Sequence, residues 1–314
     1  MTKFVDRQTT LAEQVTLTGI GVHSNKPASI TLVPAESGVG VVFTRTDQDD
    51  AVEVPASWDK VSATALCTVL GDPSQEGVST VEHLMAALFG MGVDNVIVEV
   101  DGPEMPIMDG SSAVFVAAIE QAGLKKLDRG RRYLKIKKTV RVDNGGAWCE
   151  LEPYSGTKFD ITIDFDTPLI GRQQYSSDMT PDVFRDELCR ARTFGYVKDV
   201  EQLWKMGFAL GSSLENSVAI SEDKVLNPEG TRWPDEFARH KALDAVGDLA
   251  LAGLPIMGLY RSFKGGHKMN HSILVKLFED PDAFEIVESP AFRQVGQVEK
   301  GGLAAVAAFG PDVS

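Results

Sequence analysis

The chain has 314 residues, enough for about two domains at roughly 100–200 residues each. Its 43% hydrophobic and 24% charged residues exclude wholesale disorder, collagen and a small disulfide scaffold. A net charge of −14 argues against nucleic acid or an anionic membrane surface as partner, and makes any local basic patch informative.

Cys67, Cys149 and Cys189 are far apart and form no C-x-x-C. That spacing points to a reducing compartment and away from a cysteine-type zinc site. The opening MTKFVDRQTT carries no apolar leader. The apolar runs near 249–260 and 301–309 fall short of the ~18 residues that span a bilayer. A soluble cytoplasmic protein without membrane insertion is expected.

In chain order, short β runs come first: the partly alternating TLAEQVTLTGIGVHS, then ASITLVPAE and GVGVVFTR. STVEHLMAALFGMG predicts a short helix, NVIVEV a buried strand, DGPEMPIMDGSS a loop and SAVFVAAIEQAG a second helix. Charged LKKLDRGRR, at 124–132, is the best linker candidate. After it the strand pattern restarts in RYLKIKKTVRVD, AWCELEPYSG and KFDITIDF. Leu32-Val-Pro34 before Ser37-Gly38 is weakly echoed by Leu151-Glu-Pro153 before Ser155-Gly156. Helices are predicted near 181–190 and 234–253, then a strand LPIMGLYRSF and a last helix near 281–288. The pattern predicts two similar α+β domains, 1–128 and 132–290, and a tail at 291–314.

Five histidines can be judged one by one. In Ser79-Thr-Val-Glu82-His83, Ser79 and Glu82 read as a capping box, and His83 as a partly buried polar residue. Alternatively His83 ligates a metal and the adjacent Glu82 deprotonates a water held there. In Arg239-His240-Lys241-Ala-Leu-Asp244, the i,i+4 spacing puts His240 and Asp244 on one face, with Asp248 a turn further on. That stripe is either solvated or a metal pair with Asp248 orienting a neighbour. His83, His240 and Asp244 together would give three protein ligands and an open position, as in catalytic zinc. Phe263-Lys264-Gly265-Gly266-His267-Lys268 reads as a loop at a strand end. It is either an ordinary basic turn or a general acid, His267, flanked by anion-binding lysines. Thr193, in Arg192-Thr193-Phe194, offers one hydroxyl toward an oxyanion, a weak signal. Apolar residues from Phe194 to Leu210 form a stripe that reads more readily as core than as a lipid groove. His23 and His271 read as structural, His271 lying before an apolar strand.

Taken together the motifs resemble the family of UDP-3-O-acyl-N-acetylglucosamine deacetylases, zinc hydrolases of lipid A biosynthesis in Gram-negative bacteria. The resemblance is carried by GIGVHS (19–24), LCT (66–68), STVEHLMAAL (79–88), PIMDGSS (106–112), ARTFGY (191–196), LNPEGTRWPDEFARHKALDAVGDL (226–249) and GGHKMNH (265–271). It implies zinc on His83, His240 and Asp244, with Fe²⁺ as an alternative because such sites accept several divalent metals. It implies Glu82 as general base, His267 as general acid or electrostatic partner, Asp248 orienting His267, Thr193 at the oxyanion and Lys241 beside the substrate. Lys264 and Lys268 would meet the diphosphate, with Leu66, Phe194 and Gly266 as further substrate contacts. The resemblance also implies that the two α+β domains pack face to face with the site between them, and that the acyl passage falls in the 194–210 stretch. The implied partner is an acylated UDP-sugar, with no obligate protein partner. Asn25 and Lys268 depart from the family pattern, at positions where a small residue is usual. Two rival readings remain: a silent scaffold that binds acylated sugar nucleotides, against which the intact Glu82 speaks, and a generic acidic α+β protein.

Overall fold

Alternating apolar and polar residues build the first sheet. Strands Val15–Ile20, Pro27–Pro34, Val96–Val100, Val41–Arg45 and Glu53–Pro55 lie side by side in that order. The computed structural model describes residues 6–49 and 52–289. The tail expected at 291–314 lies outside the described residues. Ile30, Leu32, Phe43 and Val98 are buried and share one core with Leu84 and Leu88 of α1 (Glu82–Met91) and Phe115 and Ile119 of α2 (Ala113–Ala122).

Two helical pieces follow. The one-turn α3 (Pro181–Val183) is capped by Thr180, whose hydroxyl accepts the Val183 N–H, and widens into a π turn at Phe184–Leu188. The second, α4 (Val197–Lys205), has no buried residue. The second sheet is organised around Ile256–Phe263. That strand runs antiparallel to Ala147–Glu152 and parallel to Thr157–Asp164 and Arg132–Ile136. Against it pack α5 (Glu236–Ala250) and α6 (His267–Phe278). The molecule is an α+β fold, as the pattern of strands and helices predicts.

Five local expectations are corrected. The charged 124–132 stretch contains a strand, Leu124–Gly130, paired with Arg7–Leu11; its exposed lysines suit an edge. The helix expected near 281–288 is a strand, Phe284–Glu288, antiparallel to Arg132–Ile136. The loop after the strand Ile256–Phe263 holds only Lys264–Gly266, because His267 and Lys268 already open α6. Ile273-Leu274-Val275 looks like a β run, yet the buried Met269, Ile273, Leu274 and Leu277 follow helical spacing. The capping box is also absent: Ser79 lies in a short strand, Val81 is the N-cap, and Glu82 is the first residue of α1.

The contact that positions the site is between α1 and α5. A Cβ on Gly247 would stand 2.0 Å from the Glu82 carbonyl oxygen and 3.1 Å from the Ala86 nitrogen. Only glycine at 247 lets the two backbones come this close. The first turn of α1 therefore sits against α5 between Asp244 and Asp248. Gly247→Ala should lower the unfolding free energy by about 1–3 kcal/mol or more, measured by chemical denaturation, because backbone and not a flexible side chain must move. A stability equal to that of the parent would contradict this packing.

Candidate metal centre

His83, second in α1, and His240 and Asp244, a turn apart on α5, bring ligand atoms within 4.8 Å of one another. All three are buried, so the His–Asp pair is not a solvated stripe. The Nε2 atoms of His83 and His240 lie 3.6 and 3.3 Å from Asp244 Oδ1. Ligand atoms about 2.0–2.1 Å from a tetrahedral ion stand roughly 3.3–3.4 Å apart, close to this spacing. Asp244 Oδ1 and His83 Nδ1 are buried without a hydrogen-bond partner. Orphaned buried polar atoms are costly, and a cation among the three side chains would satisfy Oδ1.

The surroundings prepare these groups as ligands. His240 Nδ1 faces the Ala191 carbonyl at 3.1 Å; donating there leaves Nε2 free to ligate. Burial pushes the His240 pKa down to about 3, against the pull of Asp244, so the ring is neutral. Burial opposes ionisation of Asp244, but His240, Lys241, His83 and His267 hold its carboxyl well below the usual range. Lys241 Nζ donates to Asp244 Oδ2 at 2.7 Å and lies 5.7 Å from the centre of the Phe194 ring. Two imidazoles and a carboxylate form a donor set suited to a divalent transition metal.

Glu82 aims into the same space. Its Oε2 accepts the Thr68 N–H at 3.0 Å, and its Oε1 lies 4.0 Å from His267 Nε2. Burial raises the Glu82 pKa, with His267 and His83 pulling it back. His267 Nδ1 donates to Asp248 Oδ2 at 2.8 Å. Burial alone would lower the pKa of His267, and a helix N-terminus disfavours a cation. Asp248, Asp244 and Glu82 outweigh both and push it up to about 10. Asp248 also accepts from Thr68 Oγ1 at 2.6 Å and from Asn270 Nδ2 at 2.8 Å. Thr68 and Asn270 were not singled out in the sequence, although both lie inside segments, LCT and MNH, that carry the resemblance.

The other expected residues fall around this centre or away from it. The Thr193 N–H donates to the Gly110 carbonyl at 2.8 Å, two residues beyond the Ala191 carbonyl that holds His240. Phe194 packs on Phe237 at 4.8 Å and on the His240 ring at 6.2 Å between ring centres. Gly266 is the N-cap of α6, and its carbonyl accepts the Met269 N–H at 2.8 Å. Leu66 is exposed and left-handed at φ 71°, two residues before Thr68. Lys264 does not join the centre: its Nζ pairs with Asp164 at 3.2 Å. Lys268 is exposed on α6.

Buried imidazoles and carboxylates on two abutting helices of an α+β fold form a group able to hold a metal ion, as in a metal-dependent enzyme. The model of the family UDP-3-O-acyl N-acetylglycosamine deacetylase matches residues 8–279. The chain is 50% identical over 283 residues to proteins from Brucella ovis and Brucella abortus named UDP-3-O-acyl-N-acetylglucosamine deacetylase, covering 90% of this chain and 99% of each relative. The chain belongs to the UDP-3-O-acyl N-acetylglycosamine deacetylase family.

The Thr68 bridge between Glu82 and Asp248 gives a direct test. Thr68→Val keeps the shape and the backbone N–H but strips a hydrogen bond from a buried carboxylate. It should cost about 1–3 kcal/mol in denaturation measurements. A change below about 0.5 kcal/mol, the size typical of surface substitutions, would contradict the bridge.

Proposed function

We propose that the protein removes the N-acetyl group from UDP-3-O-(3-hydroxyacyl)-N-acetylglucosamine, the committed step of lipid A biosynthesis, as a cytoplasmic enzyme. Family membership supports the substrate. The observation that carries the reaction is the Glu82 carboxylate, buried beside His83 and facing His267. A scaffold that only bound acylated sugar nucleotides would need no base there. The three free, buried cysteines agree with a reducing compartment. Among the described residues no helix is long and apolar enough to cross a membrane.

His83, His240 and Asp244 would hold one divalent ion, zinc in our reading, with Fe²⁺ as the alternative. Such an ion supplies a Lewis acid that polarises the acetamide carbonyl and makes water acidic near neutral pH. Glu82 Oε2 is occupied by the Thr68 N–H, so Oε1 takes the proton of the attacking water. As the water oxygen bonds to the acetyl carbon, the Thr193 hydroxyl stabilises the oxyanion. His267, protonated and held through Nδ1 by Asp248, presents Nε2 toward Glu82 Oε1 and Asp244 Oδ2, at 4.0 and 3.9 Å. It stabilises the developing charge and gives its proton to the nitrogen as the C–N bond breaks. Acetate and the free amine leave. Lys241, Lys264 and Lys268 are proposed to meet the diphosphate. Leu66, Phe194 and Gly266 are proposed to line the substrate path, and the 194–210 segment to take the acyl chain.

Acetate release from UDP-3-O-(3-hydroxyacyl)-N-acetylglucosamine, with and without a strong chelator, tests the function. Chelator-sensitive release is expected; none from metal-replete protein would refute the reading and favour the scaffold. Glu82→Ala should keep the metal and lose turnover by about 10²-fold or more. His83→Ala should lose the metal, as read by elemental analysis. Metal loss in the first variant, or full occupancy in the second, would reverse these assignments. Activity should fall as acidification protonates the raised Glu82 carboxyl, and again as alkalinity strips His267 near pH 10. His267→Ala should remove only the alkaline limb of the pH–rate profile; an unchanged profile would assign that limb to another group.

A further inference from the structure

Glu104 is a buried carboxylate that the reaction above leaves unused. Each of its oxygens accepts a backbone N–H from one turn: Oε1 from His23 at 2.7 Å and Oε2 from Ser24 at 2.9 Å. A Cβ on Gly21 would stand 2.1 Å from Glu104 Oε2, so glycine is what lets the turn close onto the carboxylate. Within the turn Asn25 donates to the Gly21 carbonyl at 3.0 Å and takes φ 53°. That left-handed conformation is one asparagine tolerates, which accounts for its standing where a small residue is usual. The backbone flanking Glu104 is itself tied to the strand before α1, through Ser79 to Pro103 and Met105 to Ser79, at 2.9 and 3.0 Å.

The same turn holds the end of the apolar segment that follows α4. The N–H groups of Leu210 and Gly211 donate to the carbonyls of His23 and Val22 at 3.1 and 3.0 Å. Ala209 N–H donates to His23 Nδ1 at 3.3 Å, and Phe208 meets that imidazole edge-on at 5.5 Å. Burial holds the His23 pKa below its usual value, against Glu104, and keeps Nδ1 free to accept. Ala209 sits at φ 55°, a conformation unfavourable for a residue with a Cβ. Trp204 Nε1 locks its carbonyl at 2.9 Å. A Cβ on Gly211 would lie 2.5 Å from the Gly21 carbonyl oxygen, so this seam also closes only on glycine. Val197, Trp204, Met206 and Leu210 remain exposed, so burial of the segment's apolar side chains does not locate it; the seam does.

We propose that Glu104 is a positioning residue for acyl-chain recognition: it holds the turn at 21–24, and that turn seats residues 208–211. This rests on the deacetylase reading and adds the device that would set its chain-length preference. Two readouts separate the proposal from that reading. Hydrogen exchange of the 209–211 amides needs no substrate. The kcat and KM for substrates with a 3-hydroxytetradecanoyl or a 3-hydroxybutanoyl chain report recognition.

In Glu104→Gln the amide group must turn a donor toward one of the two N–H groups, so the 209–211 amides should exchange faster. Metal content should stay at the parent level. The kcat/KM for the long-chain substrate should fall about tenfold or more, chiefly through KM, and that for the short-chain substrate by less than about twofold. Gly211→Ala, which leaves the buried carboxylate in place, should give the same pattern and decides the question if Glu104→Gln does not fold. Unchanged exchange, or an equal loss on both chain lengths, would overturn the proposal. Faster exchange in a protein whose parent releases acetate from neither substrate would refute the deacetylase reading and leave Glu104 as the seat of the segment.

Discussion

The site depends on how closely two helices approach. At Gly247 the α5 backbone meets the carbonyl of Glu82 with no room for a methyl group. This one contact sets His83 of α1 against His240 and Asp244 of α5, and the Glu82 carboxylate beside all three. Neither helix carries the whole group alone: α1 carries Glu82 and His83, and α5 carries His240, Asp244 and the Asp248 carboxylate that accepts from His267. Moving the helices apart by the width of a methyl would separate Glu82 and His83 from His240 and Asp244 without altering any of these side chains.

Electrostatics then divides the labour among groups crowded into a few ångströms. Three carboxylates, Glu82, Asp244 and Asp248, face two cationic side chains, Lys241 and His267. Asp244 is kept ionised by its cationic and imidazole neighbours, while burial pushes the proton affinity of Glu82 upward. The two histidines on the ligand side stack edge to face at 5.1 Å, and burial keeps His240 neutral. His267 is driven the opposite way by Asp248, although burial and the start of α6 both resist its charge. Similar residue types thus acquire different states through their neighbours, which is how one pocket can hold groups of opposite proton affinity at one pH.

Much of this was legible in the residues. Period-two runs announced the strands of both sheets, and the i,i+4 spacing of His240 and Asp244 put two ligand candidates on one face. That residues 83 and 240 meet was not legible, because it follows from the helix approach at Gly247 and not from any local pattern. The helix that begins at His267 was hidden by Ile273-Leu274-Val275, whose apolar run mimics a strand. Phe284–Glu288 was mistaken for a helix because its partner, Arg132–Ile136, lies some 150 residues earlier. That Lys264 has Asp164 beside it was not legible either, because the parallel pairing of Thr157–Asp164 with Ile256–Phe263 brings the two together. Thr68 was passed over because a lone threonine carries no signal until Glu82 and Asp248 flank it.

The central claim is that His83, His240 and Asp244, and not Glu82, hold one divalent ion. Anomalous X-ray scattering from crystals of the protein carrying its native metal tests it most directly. A single peak bonded to the three side chains, with both Glu82 oxygens outside the coordination sphere, is the predicted result. A peak elsewhere, or one in which Glu82 takes the place of Asp244, would contradict the account.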